Sequence, residues 1–166
     1  MSGLIAEKKA IEVLEACRAA GLMLATAESC TGGMIAASIT DIGGSSDVFD
    51  RGFVIYSNEA KEQMLGVPRA LIADHGAVSA EVARAMATGA LQNSRAGIAV
   101  SVTGIAGPGG GSPEKPVGLV WFGLARHGCE PIAAKQLFKD DGRESIRRAA
   151  VDAALELILQ GLKKPQ

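Results

Sequence analysis

Apolar residues change their spacing several times along the chain, and each change marks an element. From Leu4 to Ala20 they recur at helical period, with Ala10, Leu14 and Cys17 on one face, and Gly21 supplies the stop. Leu22 to Ala27 is a continuous apolar run too short for a helix, which predicts a buried strand. Gly32-Gly33 leads into a helix over Met34–Ile39, and Asp41 to Ser46 is loop chemistry. Phe49 to Ser57 carries the run Phe53-Val54-Ile55-Tyr56 and predicts a strand. Asn58 is placed to cap a helix beginning at Glu59. Pro68 opens the next one, ended by His75-Gly76, and Ser79 caps a longer helix through about Asn93.

The second half repeats the alternation with more strand. Gly97 to Val102 predicts a buried strand, followed by an irregular segment from Thr103 to Pro116. Val117 to Ala125 and Ile132 to Phe138 predict two adjacent strands turning at His127-Gly128. A last helix runs from near Gly142 to about Gln160, with Ile146, Ala150, Ala153 and Leu157 as its buried stripe. Such an order predicts the α/β class: a three-layer α/β/α sandwich over a mixed, mostly parallel sheet of about five strands. At 166 residues, the chain is expected to form a single domain over positions 1–166.

Composition narrows the function classes. Hydrophobic residues make up 48% and aromatic residues only 4%, so the core is expected to be small and aliphatic. Seventeen Lys and Arg against 18 Asp and Glu leave a net charge of −1. No basic stripe exists beyond Lys163-Lys164, so a nucleic-acid partner is not expected. No apolar run approaches the roughly 20 residues that span a bilayer, and the first nine residues do not read as a signal peptide. Cys17, Cys30 and Cys129 form no CxxC pair, which suits a reducing, cytoplasmic setting without a zinc site. His75 and His127 stand apart from Cys and carboxylate neighbours, so neither a metal site nor a Ser-His-Asp triad is expected.

Four clusters carry candidate chemistry. Thr26-Ala27-Glu28-Ser29-Cys30-Thr31-Gly32-Gly33 follows the first strand, where α/β folds tend to bind ligands. A turn there exposes hydroxyl and thiol groups beside main-chain N–H groups suited to an anion or oxyanion; a plain capped helix start explains the same residues. Whether Ser29 or Cys30 faces the cleft stays open, since a thiol in such a place is also a nucleophile. Tyr56-Ser57-Asn58-Glu59-Ala60-Lys61 is a second strand-to-helix junction, in which Lys61 is either a solvated helix lysine or, if desolvated, a general base. The segment Thr103 to Pro116, with five glycines and three prolines, is either a ligand-approaching loop or a mobile surface loop. It lacks the Walker pattern. Arg143, at the start of the last helix, suits a phosphate or a surface salt bridge with Asp140 or Glu144.

Taken together, these segments resemble the CinA C-terminal domain family of nicotinamide-nucleotide amidohydrolases. The resemblance rests on Ala27 to Gly33, Tyr56 to Lys61, Leu65 to Pro68 and His75 to Ser79. It continues through Ser101 to Gly111 and Pro113 to Gly118, and spans nearly the whole chain. It implies hydrolysis of the carboxamide of nicotinamide mononucleotide to nicotinate mononucleotide and ammonia. It further implies Ser29 as nucleophile, Lys61 as its base, Tyr56 as an assisting hydroxyl and Arg143 as a residue needed for activity. The chain resembles the stand-alone form of the family rather than members joined to a molybdopterin-like domain. On this reading Cys30, Thr31, Gly32, Gly33, Thr103, Gly104, Gly107 and Arg143 are expected to bind substrate, a small-molecule nucleotide. No cofactor or metal is expected. The assembly is expected to be a homo-oligomer, a dimer or higher, because symmetric homo-oligomers predominate. A non-catalytic nucleotide-binding module and a Cys30 thiol enzyme are the competing readings.

Overall fold

The computed structural model describes residues 2–164; positions 1, 165 and 166 of the expected domain lie outside them. Five strands form one sheet: β1 (Leu24–Glu28), β2 (Phe49–Val54), β3 (Ile98–Gly104), β4 (Leu119–Arg126) and β5 (Ile132–Leu137). Their order across the sheet is β2-β1-β3-β4-β5. β1 pairs in parallel with β2 and β3, whereas β3–β4 and β4–β5 are antiparallel. Four strands therefore share one direction and β4 alone is reversed, which is the mixed, mostly parallel sheet expected from the alternation.

Six α-helices of the described residues cover the two faces. On one side lie α1 (Ser2–Ala20), α2 (Met34–Thr40) and α6 (Arg143–Lys163); on the other lie α3 (Asn58–Leu65), α4 (Arg69–His75) and α5 (Ala80–Gln92). The result is the expected three-layer sandwich. Side-chain alternation along the central strands feeds both layers. Ile98, Val100 and Val102 of β3 join Leu14, Ile35, Ile146, Ile158 and Phe122 in one apolar cluster. Ala99 of β3 joins Ala25 and Ala27 of β1 with Val82, Met86 and Leu65 in the other. β1 is buried along its whole length, which is why it reads as a run rather than an alternation.

The small residues decide how closely the layers approach. At Gly123 of β4 an added Cβ would strike the Ala83 carbonyl of α5, so only glycine lets that helix lie on the sheet. Ser101, on the same face, donates to the Ala83 carbonyl at 2.6 Å.

Local boundaries differ from the sequence reading in instructive ways. The cap of α3 is Ser57, whose hydroxyl accepts from the Ala60 N–H at 3.0 Å, not Asn58. Ser57 has the extended backbone that a cap needs, whereas Asn58 is already helical. The expected strand from Phe49 to Ser57 ends at Val54, because the chain leaves the edge of the sheet to enter α3. In α6, Ala154 is fully buried while Ala153 is only half-buried, a small rotation of the expected stripe. The loop expected over Asp41 to Ser46 contains the start of a short 3-10 turn at Ser45–Asp47.

Candidate active site

The carboxyl ends of β1, β2 and β3 meet at one edge of the sheet, where the strand order reverses around β1. A crevice outside the carboxyl ends at such a point is the usual ligand position in α/β folds. Ser29 follows the last residue of β1, and its N–H is anchored on the Val102 carbonyl of β3 at 3.0 Å. Tyr56 and Ser57 follow β2, which sends the chain into α3 and places Lys61 one turn into that helix.

Lys61 is among the largest fully buried side chains of the described residues, 1% exposed. Its Nζ lies 3.2 Å from Ser29 Oγ, 3.1 Å from the Ile55 carbonyl and 3.2 Å from the Tyr56 carbonyl. Ser29 is itself 9% exposed. No carboxylate appears among these contacts. Burial pushes the lysine below its ordinary range, because desolvation disfavours the charged amine; the nearby Cys30 opposes this only in part. Of the two fates open to Lys61 in the sequence, the solvated helix lysine is excluded.

Cys30 has the opposite environment. Its side chain belongs to the apolar cluster on the α1, α2 and α6 side, and burial pushes its thiol up to about 11. At neutral pH that thiol is protonated, and it is Ser29 Oγ, not the thiol, that stands within hydrogen-bond distance of Lys61 Nζ.

Glu28 and Thr31 shape the turn from beneath. The buried Glu28 carboxylate accepts from the Thr31 hydroxyl at 2.7 Å and from the Ile35 and Ala36 N–H groups at 2.8 and 3.1 Å. It therefore caps α2 from inside the protein, from seven and eight residues ahead of the N–H groups it holds. Gly32 and Gly33 take positive φ, +56° and +106°, which lets the chain reverse immediately before α2. The Gly32 N–H donates to the Ser29 carbonyl at 3.0 Å. The N–H groups of Thr31 and Gly33 have no acceptor among the described residues.

Arg143 crosses the cleft. Its Nη1 donates to the Gly107 carbonyl at 2.6 Å and its Nη2 to the Tyr56 hydroxyl at 3.2 Å. The expected alternative, a salt bridge to Asp140 or Glu144, does not form; Glu144 pairs with Arg148. Tyr56 is 63% exposed, so its ring stands at the mouth of the site. Thr103, at the end of β3, donates to the Ala77 carbonyl at 2.9 Å. Gly104 packs against Val120 and Leu119 of β4, which assigns its missing side chain to strand pairing rather than to ligand approach. Of the expected site residues, Ser29, Lys61 and Tyr56 are thus directly linked, Arg143 and Gly107 join through Tyr56, and Thr103 lies on a neighbouring strand end.

Sequence reading did not single out Arg147. One turn beyond Arg143 on α6, it donates from Nε to the Cys30 carbonyl at 3.0 Å and from Nη2 to the Thr31 carbonyl at 3.4 Å. The four-residue spacing from Arg143 was the available signal.

A concavity of about 930 Å³ lies elsewhere, between α1, α2 and α6. It contains none of the candidate site residues, and its charged lining, Glu7, Asp41, Asp141, Glu144 and Asp152 against Arg148 alone, is unfavourable to an anionic nucleotide. Among the described residues, no group of three or more His, Cys, Asp or Glu is placed to hold a metal ion. Among the described residues, no helix is long and apolar enough to cross a membrane.

Comparison with known proteins adds independent findings. The family profile described as the CinA C-terminal domain matches residues 6–162. The nicotinamide-nucleotide amidohydrolase PncC of Escherichia coli K12 is 54% identical over 149 residues, 90% of either chain. A CinA-like protein of Akkermansia muciniphila is 51% identical over 143 residues, 86% of this chain but 34% of that longer protein. Among solved structures, the competence/damage inducible protein CihA from Agrobacterium tumefaciens matches with a TM-score of 0.92 and 49% identity, covering 96% of each chain.

Proposed function

The chain belongs to the CinA C-terminal domain family, and from that premise we propose that it is a nicotinamide-nucleotide amidohydrolase. On this reading it converts nicotinamide mononucleotide to nicotinate mononucleotide and ammonia. The observation that carries the reading is the buried Lys61 amine, held 3.2 Å from the Ser29 hydroxyl without a carboxylate partner. The name of the E. coli relative supports the substrate.

A neutral amine has two hydrogens and one lone pair. The Ile55 and Tyr56 carbonyls accept the two hydrogens, which leaves the lone pair to receive the Ser29 O–H. As the proton passes to Lys61, Ser29 Oγ bonds to the amide carbon and the carbonyl oxygen becomes an oxyanion. The free N–H groups of the turn between Cys30 and Gly33 stabilise it; one such donor is worth about 10²–10³ in turnover. The intermediate then collapses with cleavage of the C–N bond. The Lys61 ammonium returns its proton to the departing nitrogen, which leaves as ammonia and leaves an ester on Ser29. Water attacks that ester with Lys61 again taking the proton. The acyl–oxygen bond breaks, Ser29 is reprotonated and nicotinate mononucleotide departs.

The turn from Cys30 to Gly33 borders the substrate in this reading, and Gly107 and Arg143 form the opposite wall with Thr103 beside them, whereas Gly104 is taken up by strand pairing. Arg143 supplies positive charge for the nucleotide phosphate, while Tyr56 lends its hydroxyl at the mouth. Anchoring the phosphate positions the amide for attack.

The test is ammonia release from nicotinamide mononucleotide by the purified protein and its Ser29→Ala variant. Release by the parent and a fall of about 10³-fold or more in the variant are expected for loss of a nucleophile. Equal turnover in both removes Ser29 from the mechanism. Nucleotide binding without ammonia release by the parent would make the chain a binding module instead.

A further inference from the structure

The turn after β1 depends on two charged side chains that the reaction above does not use. Glu28 grips it through N–H groups and a hydroxyl, and Arg147 grips it through carbonyls. Arg147 is half-buried and its planar guanidinium spans two consecutive carbonyls, those of Cys30 and Thr31.

A trans peptide is rigid and planar, so holding a carbonyl fixes the whole plane it belongs to. Holding the Cys30 and Thr31 carbonyls from α6 therefore fixes two successive peptide planes directly after Ser29. On its other side Ser29 is held by its own N–H, which donates to the Val102 carbonyl. Gly32 fits this arrangement, since a Cβ there would stand 3.3 Å from Arg147 Nη2.

We propose that Arg147 is a positioning residue for the nucleophile turn: from α6 it locks the Cys30 and Thr31 carbonyls, so that the turn holds Ser29 against Lys61 and keeps the oxyanion site beside it in place. The proposal rests on the acyl-transfer reading given above. It gives α6 two tasks one turn apart, with Arg143 bracing the glycine loop and Arg147 bracing the nucleophile turn.

The experiment compares the parent with Arg147→Met and Arg147→Lys, each checked for folding by circular dichroism. Two readouts are taken: kcat and KM for ammonia release from nicotinamide mononucleotide, and the rate at which a fluorophosphonate modifies Ser29. Arg147→Met is expected to lose about 30- to 100-fold in kcat, somewhat less than outright removal of a donor. Its KM should stay within about threefold, and fluorophosphonate modification should slow in parallel. Arg147→Lys, which keeps the charge but not the planar fork of donors, should recover part of both. A kcat within about threefold of the parent, or a loss confined to KM, overturns the proposal, the latter making Arg147 a substrate contact. Should Arg147→Met not fold, Arg147→Lys decides alone, with parent-like kcat as the overturning result. A parent that is silent on nicotinamide mononucleotide but modified at Ser29 sinks the substrate assignment only, and the modification rates then decide the role of Arg147. A parent unmodified at Ser29 overturns both readings.

Discussion

At Lys61 an amine has exchanged water for two carbonyl oxygens and a serine hydroxyl. That exchange penalises the ammonium form, so the folded protein holds this group below the ordinary lysine range. The sign of the pH dependence follows. Below its lowered pKa the amine is protonated and has no lone pair for Ser29, so turnover is lost as the pH falls through that value. Above it the base form persists. The expected kcat/KM profile is therefore a single rise with pH whose midpoint lies below the unperturbed lysine value of about 10.4. A rise centred at or above that value, measured over a pH series with the folded state monitored, would remove Lys61 as the base. None of this was visible in the interval between Ser29 and Lys61, because two turns at separate strand ends bring them together. The types and positions of both residues were legible; their contact was a property of the sheet order.

At the scale of elements, the proposed base is only as well placed as α3. That helix is held by its Ser57 cap and by α5, where Gly89 lies so close to the Leu65 carbonyl that an added Cβ would collide with it. Backbone, unlike a side-chain tip, cannot swing aside. Gly89→Ala is thus expected to cost about 1–3 kcal/mol of stability through overpacking and to lower turnover by tilting α3. Urea unfolding and ammonia release on the folded fraction check the two effects. Unchanged stability would mean that the α3–α5 approach is softer than this geometry implies. The elements themselves were largely readable from periodicity and turn residues, because local spacing sets them. Their ends were less so. Ser57 rather than Asn58 caps α3, and Glu28, seven residues ahead of Ile35, caps α2 through a contact that no adjacent-residue rule would find. Arg147 escaped notice for a related reason: its acceptors are main-chain carbonyls over a hundred positions away.

Across the whole molecule, the cleft draws on all three layers. Ser29 comes from the sheet, Lys61 from the α3 side, and Arg143 and Arg147 from α6 on the opposite side. A ligand that touches such a site is bound only while the layers remain assembled, so binding should stabilise global unfolding. Nicotinate mononucleotide, the proposed product, is expected to raise the unfolding free energy by about 2.7 kcal/mol at a hundredfold excess over its Kd. Thermal melts across a ligand series should shift as one transition; no shift at saturating product would argue against this cleft as its binding place. The sandwich and its sheet were expected from the order of elements, whereas the joining of layers at one edge was not, since nothing in a linear pattern says which face a helix will cover.

The reversal of β4 has its own consequence. A parallel successor to β3 would require a crossover carrying the chain to the far end of the sheet, whereas an antiparallel one needs only a return at the same end. The segment from Ile105 to Gly118 is that return, and it must overhang the cleft whatever its length. Insertions or exchanges there could be grafted without renegotiating strand register, so it is the natural place for descendants of this scaffold to acquire new substrate tastes.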